Sequence, residues 1–380
     1  MHSLPVPASA RPLRWRRRTP ALAIGIFLLL GLLQTLAALA LFQRADDNDY
    51  FLSVANFGSS AVDETGVVLY DLKAKVAAKV FYAAASPARW FGGGEVAYLL
   101  WLRVLTLVSF LFAFEGLRRL LPKNQDDPSG KAARLRFMAL CLLYPGQLAW
   151  TASLLRDGLS CTFLFTALLA WSKRRRLAAL AALLLSLTLR PEFVVVITTM
   201  TVASAMVGHF RPRRHRVYLL LGACWLVSVA LFEPRNSASQ FAQFAFAEGG
   251  SAYPVVAHPF DLGGYVLVVL QSLVDPLSIA APAAITAWGL AEAVFFCWLI
   301  FSGLKRLRAM DTRALGLYYG VFVSTWLFAY FEMYVSGFSR HRMAQVVLML
   351  ALSCLTRRPR SKRLRPCAAA AATSAVGSDT

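Results

Sequence analysis

The run Thr19–Phe42 carries no charged side chain over twenty-four residues. A helix of that length is about 36 Å long, enough to cross the ~30 Å hydrocarbon core of a bilayer. It is too long for the apolar part of a cleavable signal, so it reads as a signal anchor. Apolar runs recur along the rest of the chain, with short basic clusters between them. Lys and Arg number five at 11–18, six at 118–136, four at 173–176, four at 211–216, four at 305–313 and six at 357–365. Those clusters hold 29 of the 40 basic residues. Cytoplasmic loops of a multi-span membrane protein carry this signature.

Composition agrees. A chain of 380 residues that is 58% hydrophobic, with mean hydropathy +0.55, has more apolar surface than a soluble fold of that size can hide. The formal charge of +20 would suggest nucleic acid in a soluble protein. Here no basic patch is interleaved with aromatics, so no nucleic-acid partner is expected. The six cysteines make no CxxC pair and lie mostly in apolar runs, as small packing residues do.

The expected fold is therefore an all-α polytopic membrane protein. It has about ten transmembrane helices and a helical loop on the outer face between the first two. Residues 1–19 form a basic cytoplasmic N-terminus, 20–356 the membrane domain, and 357–380 a basic, then disordered, cytoplasmic tail. The spans are expected at Pro20–Phe42, Glu95–Leu117, Phe137–Leu154, Gly158–Trp171, Leu177–Leu189, Phe193–His209, Val217–Phe232, Ala284–Leu304, Ala314–Gly337 and Met343–Leu355. Outer loops cover 43–95 and 233–262. Within the first, Val67–Ala85 is amphipathic, with Lys73, Lys75 and Lys79 among Val and Ala, which predicts helix at the membrane surface. Gly92-Gly93-Gly94 is a turn before the second span. The stretch 263–282, broken by Asp275-Pro276 and Pro282, reads as re-entrant or interfacial.

This topology sorts the remaining ionisable groups. Asp46-Asp47-Asn48-Asp49-Tyr50 opens the first outer loop with three carboxylates in four residues. Arg156, Arg190, Arg340 and Arg342 each stand at the outer mouth of a span, against the positive-inside trend. Asp157 and Glu192 lie on the same side, and Glu332 falls in the outer half of its span. Arg103, inside the second span, is the one exception. Ionisable groups at such depths usually pair or line a polar cavity, so the pattern describes a bundle with a chamber open to the outside.

A carboxylate in the cluster could act as general base toward a sugar hydroxyl. Two, Asp46 and Asp47, could hold Mg²⁺ or Mn²⁺ through hard oxygen ligands. A structural alternative is that the cluster marks the loop and caps the next helix. A guanidinium fork suits phosphate oxygens and keeps its charge when partly desolvated. For Arg156 and Arg190 the alternative is pairing with the neighbouring Asp157 and Glu192. Arg340-His341-Arg342 has no adjacent acid, which favours phosphate, with His341 either assisting or lying at the interface.

With those residues in view, the chain resembles bacterial membrane glycosyltransferases of the C fold, the superfamily of protein O-mannosyltransferases and lipid A aminoarabinose transferases. Asp46-Asp47-Asn48-Asp49-Tyr50 is similar to that family's acidic first-loop motif, with Asp47 where Glu is usual. Arg103-Val104-Leu105-Thr106-Leu107 through Leu120 resembles its second span. Leu143-Tyr144-Pro145 followed by Ser153-Leu154-Leu155-Arg156-Asp157 resembles the pattern after its third. Arg340-His341-Arg342 resembles its late arginine pair. The likeness covers mainly residues 20–175, with a weaker echo at 330–355, and no counterpart of the C-terminal outer domain of many members is expected.

The span count and the basic ends predict both termini cytoplasmic, and the resemblance implies a multi-pass protein of the bacterial inner membrane. It implies sugar transfer from a polyprenyl-phosphate carrier to a glycan, lipid or protein acceptor on the outer face. Asp46 or Asp47 would be the acceptor base, and Arg156 with Arg340 or Arg342 would hold the departing phosphate. Membrane polymerases of lipid-linked polysaccharide repeat units share an Asp-x-x-x-Tyr loop and outward arginines, and are the close alternative. A transporter or flippase of lipid-linked sugar is the second, although the chain shows no convincing inverted repeat.

Overall fold

The computed structural model describes residues 13–41, 48–58, 71–121, 130–147, 156–190, 193–209, 310, 312–331 and 343–356, with separate positions between 291 and 303. The described residues are helical and contain no strand. Ten helices are defined: α1 (Leu13–Leu41), α2 (Asn48–Phe57), α3 (Asp71–Arg89), α4 (Glu95–Leu120), α5 (Lys131–Leu143), α6 (Arg156–Ser172), α7 (Arg176–Leu189), α8 (Phe193–His209), α9 (Thr312–Phe331) and α10 (Met343–Leu355). Two stretches, Ala21–Ala40 of α1 and Glu95–Leu120, are long and apolar enough to cross a membrane. The expected seventh span, the stretch 263–282 and the loop 233–262 lie outside the described residues.

Helix boundaries follow the hydrophobic runs closely at Phe193–His209 and Met343–Leu355. They differ at the third run. Helix α5 begins six residues before Phe137 and ends at Leu143, followed by Tyr144 in an extended conformation. Pro145 is the cause, because its ring disfavours helical backbone at the preceding residue. Two of the carbonyls at this end are met by side chains. Gln147 Nε2 donates to the Cys141 carbonyl, and Gln34 Nε2 of α1 donates to the Leu142 carbonyl at 2.8 Å.

Close contacts define how neighbouring helices run. Thr106 of α4 faces Gly158 of α6, and Gly116 faces Leu168, so α4 and α6 are parallel. Ser160 and Ser186 exchange hydrogen bonds, Oγ to carbonyl, at 3.0 and 2.9 Å, so α6 and α7 are antiparallel. They are joined by a tight turn in which Arg174 takes φ 61° and the Arg175 N–H closes on the Ala170 carbonyl at 3.0 Å. Helix α1 passes antiparallel to α4, with Gly31 against Leu107 and Leu39 near the start of α4. Helices α8 and α9 are antiparallel, with Gly316 against Ser204 and Gly320 against Met200.

Helix α10 sits at the centre, packed by α4, α5 and α9. Every residue from Ala344 to Cys354 is buried. A helix that is apolar all round belongs in such a position. The main core joins α10 to Phe110, Phe114, Phe137, Phe165 and Tyr318. The periphery is the reverse: Leu22, Ile26, Leu29, Leu33 and Leu36 of α1 and Leu177, Leu180 and Leu184 of α7 are exposed.

A second core lies at one end of the bundle. Phe51, Val54 and Ala55 of α2 and Ala78, Phe81, Ala85 and Ala88 of α3 pack with Tyr98, Leu99 and Leu102 of α4, Leu159 of α6 and Leu189 of α7. The spacing of the α3 set is that of one helix face. It is the apolar face of the expected amphipathic stretch, shifted a few residues C-terminally.

Candidate functional site

Helices α2 and α3 are fixed to the bundle by directed polar contacts. The Tyr98 hydroxyl donates to Asn56 Oδ1 at 2.9 Å, and Trp101 Nε1 donates to the Ala84 carbonyl at 2.8 Å. Arg89 Nη1 donates to the Ala55 carbonyl at 2.9 Å, and its guanidinium lies 3.7 Å from the centre of the Tyr82 ring. These contacts hold Asp49 and Tyr50, in the first turn of α2, at the same end as the start of α6 and the end of α7. Asp49 is exposed, where the helix N-terminus favours a negative charge, and Tyr50 is half-buried with its ring edge on Phe51.

Two expected site residues meet directly. Arg190 Nε lies 2.7 Å from Asp157 Oδ1, and both side chains are 7% exposed. Asp157 opens α6 and Arg190 follows α7, so the pair bridges the open end of that hairpin, one helical turn beyond the two serines. The oxygen approaches off the N–H axis, because Nε satisfies no hydrogen-bond geometry, so the contact is an ion pair. The partner of Arg190 is thus a carboxylate on the neighbouring helix. Glu192 lies outside the described residues, and of Arg156 only the helical backbone is described. Asp46, Asp47, Glu332, Arg340, His341 and Arg342 also lie outside them. Among the described residues no three His, Cys, Asp or Glu side chains gather as a metal site.

No family model, curated protein or solved structure matches the chain.

Sequence reasoning left Arg103 without a place, and the structure gives it one. It projects into the bundle interior from α4 and is 4% exposed. Its Nη1 donates to Gln147 Oε1 at 3.3 Å. Gln147 is itself buried, and its other amide atom is spent on the Cys141 carbonyl. In a continuous helix that carbonyl would take the N–H of residue 145, which proline lacks. The signal was present in the sequence: a lone arginine inside an apolar run, and a glutamine two residues after the proline.

At the other end of the bundle the charges pair locally. Glu115 of α4 takes Arg118 and Arg119 at 2.8 Å each, and Arg134 of α5 at 3.6 Å. Lys173, Arg174, Arg175 and Arg176 are exposed in the turn between α6 and α7. The exposed rings Trp90 and Phe91 flank the end that holds Asp49, and Trp171 flanks the basic turn.

Proposed function

We propose that this chain is an integral membrane glycosyltransferase of about ten spans. It moves a sugar from a polyprenyl-phosphate carrier to a glycan, lipid or protein acceptor on the outer face of a bacterial inner membrane. The observation that carries the reading is the sorting of charge between the two ends of the bundle. One end gathers α2, with Asp49 and Tyr50, and the buried Asp157–Arg190 pair. The other carries the exposed basic turn and the Glu115 cluster. Helix directions support the span order, since α4 and α6 would both run inward while α1 and α7 run outward. The exposed leucine faces of α1 and α7 suit contact with lipid, and tryptophans near both ends suit its two interfaces.

In this reading Asp46 or Asp47 removes the proton of the acceptor hydroxyl as its oxygen attacks the anomeric carbon. The bond from that carbon to the carrier's phosphate oxygen breaks with inversion, and the phosphate leaves with the electron pair. Arg156, Arg340 and Arg342 stabilise the charge that develops on it. The acidic cluster would also hold Mg²⁺ or Mn²⁺ if the reaction uses one.

Lipid extraction from a strain lacking the chain tests the proposal. Accumulated polyprenyl-phosphate monosaccharide supports it. An accumulated pyrophosphate-linked repeat unit instead assigns the chain as a polymerase. A lipid-linked sugar trapped on the cytoplasmic leaflet assigns it as a flippase.

A further inference from the structure

A guanidinium inside an apolar bundle is costly unless its charge and its N–H groups are met. Arg103 meets only part of that requirement. Nη1 faces Gln147, while Nε and Nη2 have no hydrogen-bond partner among the described residues. Asp157, a buried carboxylate of the neighbouring helix, is engaged by Arg190. Gln147 cannot turn to offer more, because its amide nitrogen is committed to Cys141. The unmet edge is the buried Nε–Nη2 side of the fork, whose two N–H groups match two oxygens of a phosphate or carboxylate. Its depth is also informative. Arg103 stands eight residues into α4, about 12 Å along the axis from the end that holds α2.

We propose that Arg103 is the seat of a buried oxyanion site that takes the phosphate of a lipid-linked ligand, with Gln147 setting the plane of the guanidinium. The site extends the reading of the chain as a polyprenyl-phosphate-dependent enzyme and rests on it for the identity of the ligand. Arg103 would bind phosphate inside the bundle, separately from the arginines expected at the loops. The break at Tyr144-Pro145 has a purpose in this scheme, since it frees the Cys141 carbonyl to anchor Gln147, which in turn meets Arg103.

The test uses the full-length protein in a maltoside detergent, which carries no phosphate. Thermal unfolding is followed with farnesyl phosphate, farnesol or inorganic phosphate added. Farnesyl phosphate should raise the unfolding temperature of the wild type by several degrees, and farnesol should not. Arg103→Met should unfold at or above the wild-type temperature without ligand, because it removes an unmet buried charge at similar length. It should lose the farnesyl phosphate response. Arg103→Lys should bind at least tenfold more weakly, since a point charge cannot replace the fork. An equal response to inorganic phosphate keeps the oxyanion site and assigns it to free phosphate.

Three results overturn the proposal: a wild type that responds to neither phosphate, an Arg103→Met protein that responds like the wild type, or one that is strongly destabilised without ligand. The last would make Arg103 a structural cation. The assay needs no turnover, so an Arg103-dependent response in a protein that transfers no sugar retains this site and rejects the transferase.

Discussion

Arg190 and Asp157 form a buried ion pair at 2.7 Å across the open end of the α6–α7 hairpin. Removing one partner of such a pair leaves an unpaired charge in the interior, at a cost of about 3–5 kcal/mol. Asp157→Leu and Arg190→Met should therefore each lower the unfolding temperature of the detergent-solubilised protein sharply. The double variant should recover most of the loss, because neither charge then remains. Additive losses in the double variant would mean that the two residues stabilise the hairpin independently, against the geometry.

The seam between α8 and α9 gives a prediction about small side chains. A methyl added at Gly320 would meet the Met200 Cα and lie 2.7 Å from the Thr199 carbonyl oxygen. At Gly316 it would lie 2.8 Å from the Ser204 Cα. Gly316 and Gly320 are four residues apart, the spacing that lets two membrane helices touch backbone to backbone. Gly320→Ala should destabilise by about 1–3 kcal/mol, the range for overpacking a close contact. Gly25→Ala is the control, since nothing lies within 4 Å of its added methyl. It should be neutral, or stabilising by about 0.5–1 kcal/mol through helix propensity. Equal behaviour of the two variants in a chemical unfolding series would remove the seam.

Helices were legible wherever a hydrophobic run had ends of its own. Phe193–His209 and Met343–Leu355 emerge with the boundaries that their polar flanks dictate. The third run misled because Leu142 and Leu143 continue in composition through Pro145, while the backbone stops at the proline. Contacts between helices were not legible. Gly320 reads as a minor helix breaker until Met200 is seen against it, and Ser160 reads as incidental until Ser186 faces it. For Arg190 the sequence offers Glu192 as partner, because it shows only which residues are near along the chain. The Asp157 carboxylate reaches it only after the hairpin closes. Burial of Arg103 follows from α4 lying between α6 and α10, which periodicity along α4 alone does not specify.

The acidic stretch before α2 carries the chemical prediction. Asp46→Ala or Asp47→Ala should abolish glycan product while the protein remains inserted and elutes as the wild type does. The expected loss is on the order of 10²-fold or more, as for a general base. Asn48 to Phe57 form α2 with Asp49 exposed, and Asp49→Asn tests the charge at that position with the size of the side chain kept. Unchanged product from both single variants and from the double would remove the base assignment.

Sidedness can be tested directly at two turns that differ in charge and lie at opposite ends of the bundle. Gly93, at φ 62°, lies in the turn between α3 and α4, close to the cluster that buries Tyr98. Arg174 lies in the basic turn between α6 and α7. The four described cysteines are free, and Cys141, Cys161 and Cys354 are buried, so a thiol introduced at an exposed turn can be scored against a parent chain. Arg174→Cys should react with a membrane-impermeant maleimide only in inside-out vesicles, where the cytoplasmic face is presented. A thiol at Gly93 is strained by its left-handed backbone, so Gly94→Cys, with open space around it, is the better reporter of that end. It should react in intact spheroplasts and stay silent in inverted vesicles. Labelling of both positions from one side would place the acidic stretch and the basic turn in the same compartment. The charge sorting on which sugar transfer at the outer face depends would then be lost, while the helix packing itself would stand.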